Sequence, residues 1–341
     1  MFVVRPAGPS DFDTLMELAV LSGRGFTSLP EDEPTLRERL ELSQASFAGE
    51  VAPPKAWYTL MLEDTADGAV AGVAGVKAGV GLTRPHFSFR VVTLAQSSPT
   101  LDLRFDHQAL VMVNECAGWS EVGSLFLRPE KRKGGAGRLL AQSRYMLIGI
   151  EPEKFAEQVL AELRGWFEED GRCPFWEHVA GRFFPLAFDE ADRMSASTNG
   201  QFILDLAPRH PIYVGLLPQE ARAVIGKCHK DGEAARAMLE REGFRFQGLV
   251  DLFDAGPTVS CHRDDIKTVK EARRLTLSIG TPSSEGGSDA YGEEALVSTT
   301  AIGGFRAVRT PVLIDGVKAI ISREAAEALR LGEGEAVRVK A

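Results

Sequence analysis

The basic, glycine-rich segment Arg132–Gly137 has the residue types that point most directly to chemistry. It follows an apolar stretch, Val122–Leu127, and precedes a run with helical apolar spacing. In such a turn the backbone N–H groups can converge on an anion at the positive end of the helix dipole, and glycines let the backbone approach phosphate closely. Arg132 and Arg138 could add charge-assisted hydrogen bonds to a pyrophosphate. The segment indicates a phosphate-binding turn, with a solvated surface turn as the alternative.

Two common nucleotide-binding signatures do not describe this turn. The chain has no GxGxxG after an early strand, and no Gly-Lys-Ser/Thr closes the turn as in a Walker A motif. Nucleotide hydrolysis is therefore disfavoured.

His229 is a candidate for proton transfer, because imidazole titrates close to neutral pH. The alternatives are helix capping and ordinary surface polarity. The adjacent Cys228 raises a covalent acyl-cysteine route, since thiolates attack thioesters readily. Neighbours in an extended segment point to opposite faces, so the pair is not expected to act as a dyad.

The elements that would hold these residues can be predicted from periodicity. Val122–Leu127 is predicted as a strand leading through the turn into a helix. The stretch 153–163 fits either a helix or a strand. Two short helices, at 174–181 and 234–243, each end in Gly and are followed by Phe, and an aromatic strand is expected to begin at 183. Elsewhere we expect a strand at 3–4, helices near 10–19 and 35–46, strands at 57–62 and 69–80 joined by a hairpin at 67–68, and a strand at 87–94.

The chain of 341 residues is long enough for more than one packed unit. We predict a unit at 1–190, a second at 191–280 that carries His229, and a C-terminal extension at 281–341. The Ser/Gly-rich stretch 280–294 is the predicted linker. Beyond it we expect a strand at 305–314, a helix at 323–331 and a strand at 336–340, packed on the body.

Composition narrows the class of protein. Apolar residues make up 44% and charged residues 26%, as in ordinary soluble proteins, and no apolar run reaches the ~18 residues of a membrane span. The net charge of −9 argues against a nucleic-acid partner and suits a cationic small substrate. Without a secretory leader or paired cysteines, the expectation is a cytoplasmic protein with reduced thiols.

The spacing of Arg132, Gly135 and Gly137 resembles the Arg/Gln-x-x-Gly-x-Gly/Ala signature of the GNAT superfamily of CoA-dependent N-acyltransferases. The resemblance implies an α/β (α+β) fold: a mixed, mostly antiparallel sheet flanked by helices. With the two helix-Gly-Phe endings, we expect two related halves and a small β-rich tail.

Longer stretches resemble the arginine N-succinyltransferase family in the order expected for it. They are 25–30, 80–82, 124–127, 174–176, 182–184, 210–213, 224–226 and 253–258. The resemblance implies transfer of succinyl from succinyl-CoA, a co-substrate, to the α-amine of L-arginine or of ornithine. It implies no metal and no permanently bound cofactor, and a homo- or hetero-oligomer is possible in such a family.

The same resemblance assigns roles to individual residues. His229 takes the place of the proton donor, and Leu125 that of the succinyl-CoA contact, with Leu127 on the same strand. If that strand is bulged or splayed from a strand at 159–163, the free N–H of Leu125 could bond the thioester oxygen.

Residues that hold the charged substrate groups are less specified. Arg90 and Arg164 are candidates for the succinyl carboxylate, and Glu115, Glu121 and Glu177 for the guanidinium. His86, His107 and His178 are interpreted as structural. Two alternatives stay open: an acyltransferase with another donor or amine, and a sensing module without turnover.

Overall fold

A computed structural model describes residues 1–23, 26, 28–83, 85–132, 134–197, 200–282 and 292–341. Its strands are β1 Phe2–Pro6, β2 Trp57–Asp64, β3 Val70–Lys77, β4 Ser88–Ser98, β5 Leu103–Val113, β6 Ser120–Leu127, β7 Gln158–Glu162, β8 Ile212–Tyr213, β9 Arg245–Asp251, β10 Pro257–His262, β11 Arg273–Ile279, β12 Glu293–Ser298, β13 Ala307–Asp315, β14 Lys318–Ile321 and β15 Ala336–Lys340. Its α-helices are α1 Phe12–Ser22, α2 Glu33–Phe47, α3 Ala136–Ile148, α4 Pro174–His178, α5 Phe188–Ser197, α6 Gln201–Leu206, α7 Gln219–Ala223, α8 Glu233–Glu242, α9 Lys267–Glu271 and α10 Arg323–Leu329.

All fifteen strands belong to one sheet, in the order β12-β15-β11-β14-β13-β1-β2-β3-β6-β7-β10-β9-β4-β5-β8. Within the described residues two pairings are parallel, β6 with β7 and β11 with β14, and the others are antiparallel. The predicted mixed, mostly antiparallel sheet flanked by helices is confirmed.

The five C-terminal strands curl into a small barrel. A further pairing between β12 and β13 closes the series β12-β15-β11-β14-β13 on itself. The barrel has its own apolar cluster, which includes Leu277, Val297 and Val337, with α10 packed against it. Pairing of β13 with β1 then joins the barrel to the rest of the sheet.

Helix α3 lies at the centre of the molecule. Every residue from Leu139 to Ile148 is buried, because the main apolar cluster surrounds the helix with residues of the sheet, of α8 and of the C-terminal segment. Polar residues on this helix are therefore inside the protein, among them Gln142 and Arg144.

Several predicted elements are confirmed, one expectation is wrong, and strand β5 was not predicted. The hairpin at 67–68 joins β2 to β3, and Gly243 ends α8 in the left-handed conformation at φ +107°. No strand begins at 183, where a short turn of 3-10 helix leads instead into α5. The strand β5 is not foreseen; its first half alternates Leu103 and Phe105 with polar residues, but both of these apolar side chains are exposed instead of buried.

The stretch 153–163, ambiguous from periodicity, forms strand β7. The boundary proposed at residue 190 falls inside α5, and the three-unit division remains a prediction. The predicted linker falls largely on residues 283–291, which lie outside the described residues.

Candidate functional site

The strands β6 and β7 diverge after a short parallel start. They pair at Ser120 with Val159 and at Glu121 with Leu160, whereas β6 continues to Leu127. Pantetheine is a thin, flexible chain, and a wedge between two strands offers it backbone N–H and C=O groups that no partner strand occupies. The divergence predicted for these strands is therefore present.

A bulge interrupts β6 within the wedge. Ser124 has φ +50°, and the register of β6 against β3 shifts between Val73 and Gly75. Two hydrogen bonds to Ser28 hold the bulge: the Ser124 N–H donates to Ser28 Oγ at 3.1 Å, and Ser124 Oγ donates to the Ser28 carbonyl at 2.8 Å. A bulge re-aims the backbone groups next to it, here those of Leu125. The Leu125 side chain packs against the main core, so its main chain is the part available for chemistry.

The glycine turn connects the end of β6 to the start of α3. Gly134 and Gly135 both have left-handed backbone angles, φ +63° and +79°, and Gly135 is the N-cap of α3. A Cβ on Gly135 would meet no atom within 4 Å, so the backbone angle is what requires glycine there. Arg132 ties the turn to the strand, since its Nε donates to the Leu127 carbonyl at 3.1 Å. The turn thus presents amides at the positive end of a helix.

His229 lies on the edge of β7 that faces β6. Past the end of β7, the Leu163 N–H donates to Pro257 of β10, and the Arg164 carbonyl accepts from the His229 N–H at 2.8 Å. Successive peptide groups of an extended chain point to opposite edges, so His229 is on the side away from β10. Leu125, whose N–H could bond a thioester oxygen, and His229, which could transfer a proton, therefore lie on the two sides of one wedge.

The hydrogen bonds of His229 define its neutral form. The Asp231 N–H donates to Nδ1 at 3.2 Å, which assigns the proton of the neutral ring to Nε2. Burial lowers the pKa of His229, and the positive charge of Arg164 lowers it further. The side chain is 18% exposed. The lowered pKa favours the uncharged ring at neutral pH, with its proton on Nε2.

A cavity lined by acidic side chains opens beside the wedge. Its carboxylates come from four elements: Glu121 at the start of β6, Glu162 at the end of β7, Asp192 on α5 and Asp251 on β9. It encloses about 120 Å³, which is room for the end of one side chain and well below the ~300 Å³ of a pocket for a whole ligand. Ser28, which holds the bulge, also lines it. We call it the acid cavity.

The acid cavity is lined by four carboxylates and by two permanent cations, Arg39 and Lys77, so its carboxylates outnumber its permanent cations. Burial and the charge of Asp251 raise the pKa of Asp192 to about 7, and its Oδ1 has no hydrogen-bond partner within the described chain. Burial and Glu162 likewise raise the pKa of Glu121 and of Asp251. His86 is 3.3 Å from Glu162; burial opposes its protonation, yet Glu162 raises the pKa of His86 overall. Such a site favours a cationic ligand.

The other predicted site residues occupy different places. Arg164 follows Glu162 on the same strand face and lies beside His229. Arg90 is on β4, separated from β6 by β7, β10 and β9, and forms an ion pair with Glu115. Neither of these two lines the acid cavity.

Two further residues have other surroundings: Glu177, a candidate for the guanidinium, and Cys228, the nucleophile of the alternative covalent route. Glu177, on α4, bonds Arg172 at 3.0 Å. Cys228 is 6% exposed in the main core, which disfavours the covalent route.

Sequence reasoning missed Asp192, Asp251 and the role of His86. Each lies far along the chain from the glycine turn, and no local spacing links them. It also missed Arg144 of α3, a buried guanidinium whose Nη1 is 3.5 Å from the Gly123 carbonyl. Burial lowers the pKa of Arg144. Its positive charge under the bulge favours negative charge developing nearby.

Within the described part of the chain, no three His, Cys, Asp or Glu side chains are arranged to hold a metal ion. Across the same residues, no helix combines the length and apolar character required to cross a bilayer.

Comparison with known proteins gives consistent matches along the whole chain. Residues 2–268 match the family model of the arginine N-succinyltransferase beta subunit, and residues 273–341 match that of the C-terminal domain of the same subunit. The chain is 38% identical to the arginine N-succinyltransferases of Citrobacter koseri and Escherichia coli, over 99% of its length and 97% of theirs. It is also similar to the solved structure of arginine/ornithine succinyltransferase subunit AI from Pseudomonas aeruginosa, with a TM-score of 0.90 and 33% identity over 100% of this chain and 98% of that one.

Proposed function

Because this chain belongs to the arginine N-succinyltransferase family and is an acyltransferase, we propose that it transfers succinyl from succinyl-CoA to the α-amine of L-arginine. The observation that carries the residue assignments is the wedge between β6 and β7, with the Leu125 backbone on one side and His229 on the other. Direct transfer needs both substrates in one complex, and a wedge open between strands supports that.

The CoA end of the donor is assigned to the glycine turn. The amides of Gly135 and Gly137 and the positive end of α3 suit a pyrophosphate, with Arg132 and Arg138 close by. Pantetheine then runs along β6 past Leu127 to the bulge. This direction brings the thioester carbonyl to the N–H of Leu125, which stabilises the oxyanion as the amine attacks.

His229 carries the proton in this proposal. The neutral α-amine attacks the thioester carbon, forming a C–N bond and a tetrahedral oxyanion with a protonated nitrogen. The uncharged imidazole takes that proton and, as the C–S bond breaks, donates it to the leaving sulfur. A lowered pKa suits this order, since His229 enters uncharged and is a strong donor once protonated.

The guanidinium end of arginine is assigned to the acid cavity. A guanidinium is charged at every relevant pH and does not react, so carboxylates can bind it without hindering the reaction. The attacking amine must be uncharged, and the same carboxylates would hold it protonated. Arg164, beside His229, is the candidate for the succinyl carboxylate. Arg90 for the carboxylate and Glu115 for the guanidinium are supported only by the sign of their charge, because they pair with each other away from the wedge.

The remaining proposals concern setting and assembly. Succinyl-CoA is made and used inside cells, which supports a cytoplasmic location for an enzyme that consumes it. A homo- or hetero-oligomer, and the absence of a resident cofactor, stay proposals drawn from the family.

The activity is tested by following thiol release from succinyl-CoA with purified full-length protein. We expect release that depends on L-arginine, with smaller release for ornithine, whose shorter side chain places its ammonium less deeply among the carboxylates. Acetyl-CoA with arginine is the matched donor control. Release with acetyl-CoA but not succinyl-CoA, or none that depends on arginine, would contradict the proposal.

A further inference from the structure

A second cavity, of about 340 Å³, lies between α3 and α8 and is lined by four cations. They are Arg138 of α3, Arg241 of α8, Lys267 of α9 and Lys340 of β15. We call it the basic cavity. Such a concentration of positive charge stands out on a chain with a net charge of −9.

Two carboxylates nearby, Glu242 and Glu271, offset only part of this positive charge. Glu242 is the one acidic residue in the described lining, and its carboxylate is held by uncharged donors rather than by these cations. It accepts from Gln142 at 2.8 Å and from the N–H and Oγ1 of Thr268 at 2.8 and 2.9 Å. Lys340, 6% exposed, pairs with Glu271 at 3.0 Å. Arg138, Arg241 and Lys267 form no ion pair within the described chain, and the charge of Arg138 contributes to lowering the pKa of the neighbouring Arg309.

The wall behind these cations is apolar. Ala141, Tyr145 and Met238 line the cavity, and Tyr145 is fully buried with its ring against Phe244. A volume of about 340 Å³ lies within the range of small-ligand pockets. Three exposed cations, Arg138, Arg241 and Lys267, beside an apolar wall match an anion attached to a flat, weakly polar body.

We propose that the basic cavity binds a phosphate monoester carried on an aromatic body, the chemistry of a nucleotide. Two sources share this chemistry: the nucleotide end of CoA and a separate nucleotide. The first is suggested by position, because Arg138 is about 4.5 Å along α3 from Gly135, and Tyr145 is about 10 Å further. A coenzyme held at the glycine turn could therefore extend its nucleotide into the cavity. The site itself does not depend on the proposed succinyl transfer.

The test is calorimetric binding of adenosine 3′,5′-bisphosphate to the full-length protein. In the double variant Arg241→Gln/Lys267→Gln we expect binding to weaken about tenfold for each cation removed, because each supplies a charge-assisted hydrogen bond. Both side chains are exposed, so the variant should unfold at the wild-type temperature. The matched control, Arg222→Gln/Lys270→Gln, removes two exposed cations that do not line the cavity and should bind as the wild type does.

No binding by the wild type, or equal binding by the double variant, would overturn the proposal. Kinetics then distinguish the two sources. If CoA fills the cavity, succinyl-CoA lacking its 3′-phosphate has a raised KM with the wild type, and the double variant loses this difference. If a separate nucleotide fills it, the difference persists in the variant, and the bisphosphate still binds the wild type when CoA is saturating. A protein that binds the bisphosphate but transfers no succinyl would contradict the proposed function alone.

Discussion

At His229, a single backbone amide decides how the side chain can act. The Asp231 N–H donates to Nδ1, so the proton of the neutral ring must sit on Nε2, and 18% of the side chain is exposed. Burial and Arg164 together favour the uncharged ring at neutral pH. The surroundings also distinguish His229 from Cys228: the Cys228 thiol lies in the core, where it cannot reach a substrate.

His229→Ala should reduce kcat by roughly 10²–10⁴-fold, the usual contribution of a positioned acid or base, and leave CoA affinity within a few fold. Steady-state kinetics and CoA binding by calorimetry check the two halves of this expectation. Cys228→Ala is the control: it should keep turnover at a modest cost in stability, because its thiol is a packing group. Turnover lost in Cys228→Ala and kept in His229→Ala would reverse the assignment.

Asp192 ties substrate binding to stability. Its pKa is about 7 in the folded protein against the ordinary 3.8, so the folded state binds a proton that the unfolded state has lost. Asp192 therefore does not lower the free energy of unfolding below about pH 4, and its ionisation lowers it as the pH rises from about 4 to 7. The difference of about three pH units corresponds to a few kcal/mol above pH 7.

We predict that Asp192→Asn raises the free energy of unfolding at pH 8 by a few kcal/mol and weakens arginine binding. Denaturant unfolding between pH 4 and 8 should show the gain growing through this window. Glu190→Gln, an exposed position on the same helix, should leave the pH dependence as it is in the wild type. If the free energy of unfolding had the same pH dependence in the wild type and in Asp192→Asn, the raised pKa of Asp192 would be contradicted.

At the scale of elements, the site is a consequence of how β6 begins and ends. Two parallel pairs hold its start to β7, the bulge at Ser124 turns its middle, and two left-handed glycines aim its end into α3. Each feature breaks the regular ladder and frees backbone groups. The reaction is therefore proposed to use main-chain atoms as much as side chains.

The glycine turn makes a prediction that separates position from residue type. Gly135→Asp should weaken CoA binding about tenfold or more, because it forces a non-glycine residue to φ +79° and sets a carboxylate near phosphate. Gly137→Ala should bind CoA normally, since a Cβ there meets Leu127 Cδ2 at an ordinary 3.8 Å and alanine favours the helix. Calorimetry with CoA measures both. Equal loss in the two variants would mean that crowding rather than anion binding explains the turn.

For the whole molecule, the C-terminal barrel is part of the main fold. Its strand β13 pairs with β1, at Val3 with Val308 and Val4 with Ala307, and Leu296 and Phe305 enter the core around α3. It also supplies Lys340 to the basic cavity. The C-terminal segment thus stabilises the helix that carries the glycine turn.

Val308→Asp should destabilise the whole protein by more than about 3 kcal/mol, because it buries an unpaired charge where the barrel meets β1. Ile314→Asp, on the same strand but 38% exposed, should cost much less. Thermal unfolding followed by circular dichroism compares them. A small effect of Val308→Asp would show that the barrel is loosely attached.

The sequence by itself determined the elements whose signals are local. The strand Val122–Leu127, the glycine turn and the Gly243 ending of α8 follow from apolar runs and from backbone angles that only glycine adopts easily. The assignment of His229 came from a family resemblance, because a single histidine has no periodicity to identify it.

Only the tertiary structure decided which distant residues meet. The wedge depends on where β7 stops pairing with β6. The position of His229 depends on its hydrogen bond to the Arg164 carbonyl, and the acid cavity depends on four elements between residues 121 and 251. The basic cavity joins residue 138 to residue 340. Burial and opposing charges set the pKa values there, and both are properties of the packed chain, so no spacing along the sequence could have predicted them.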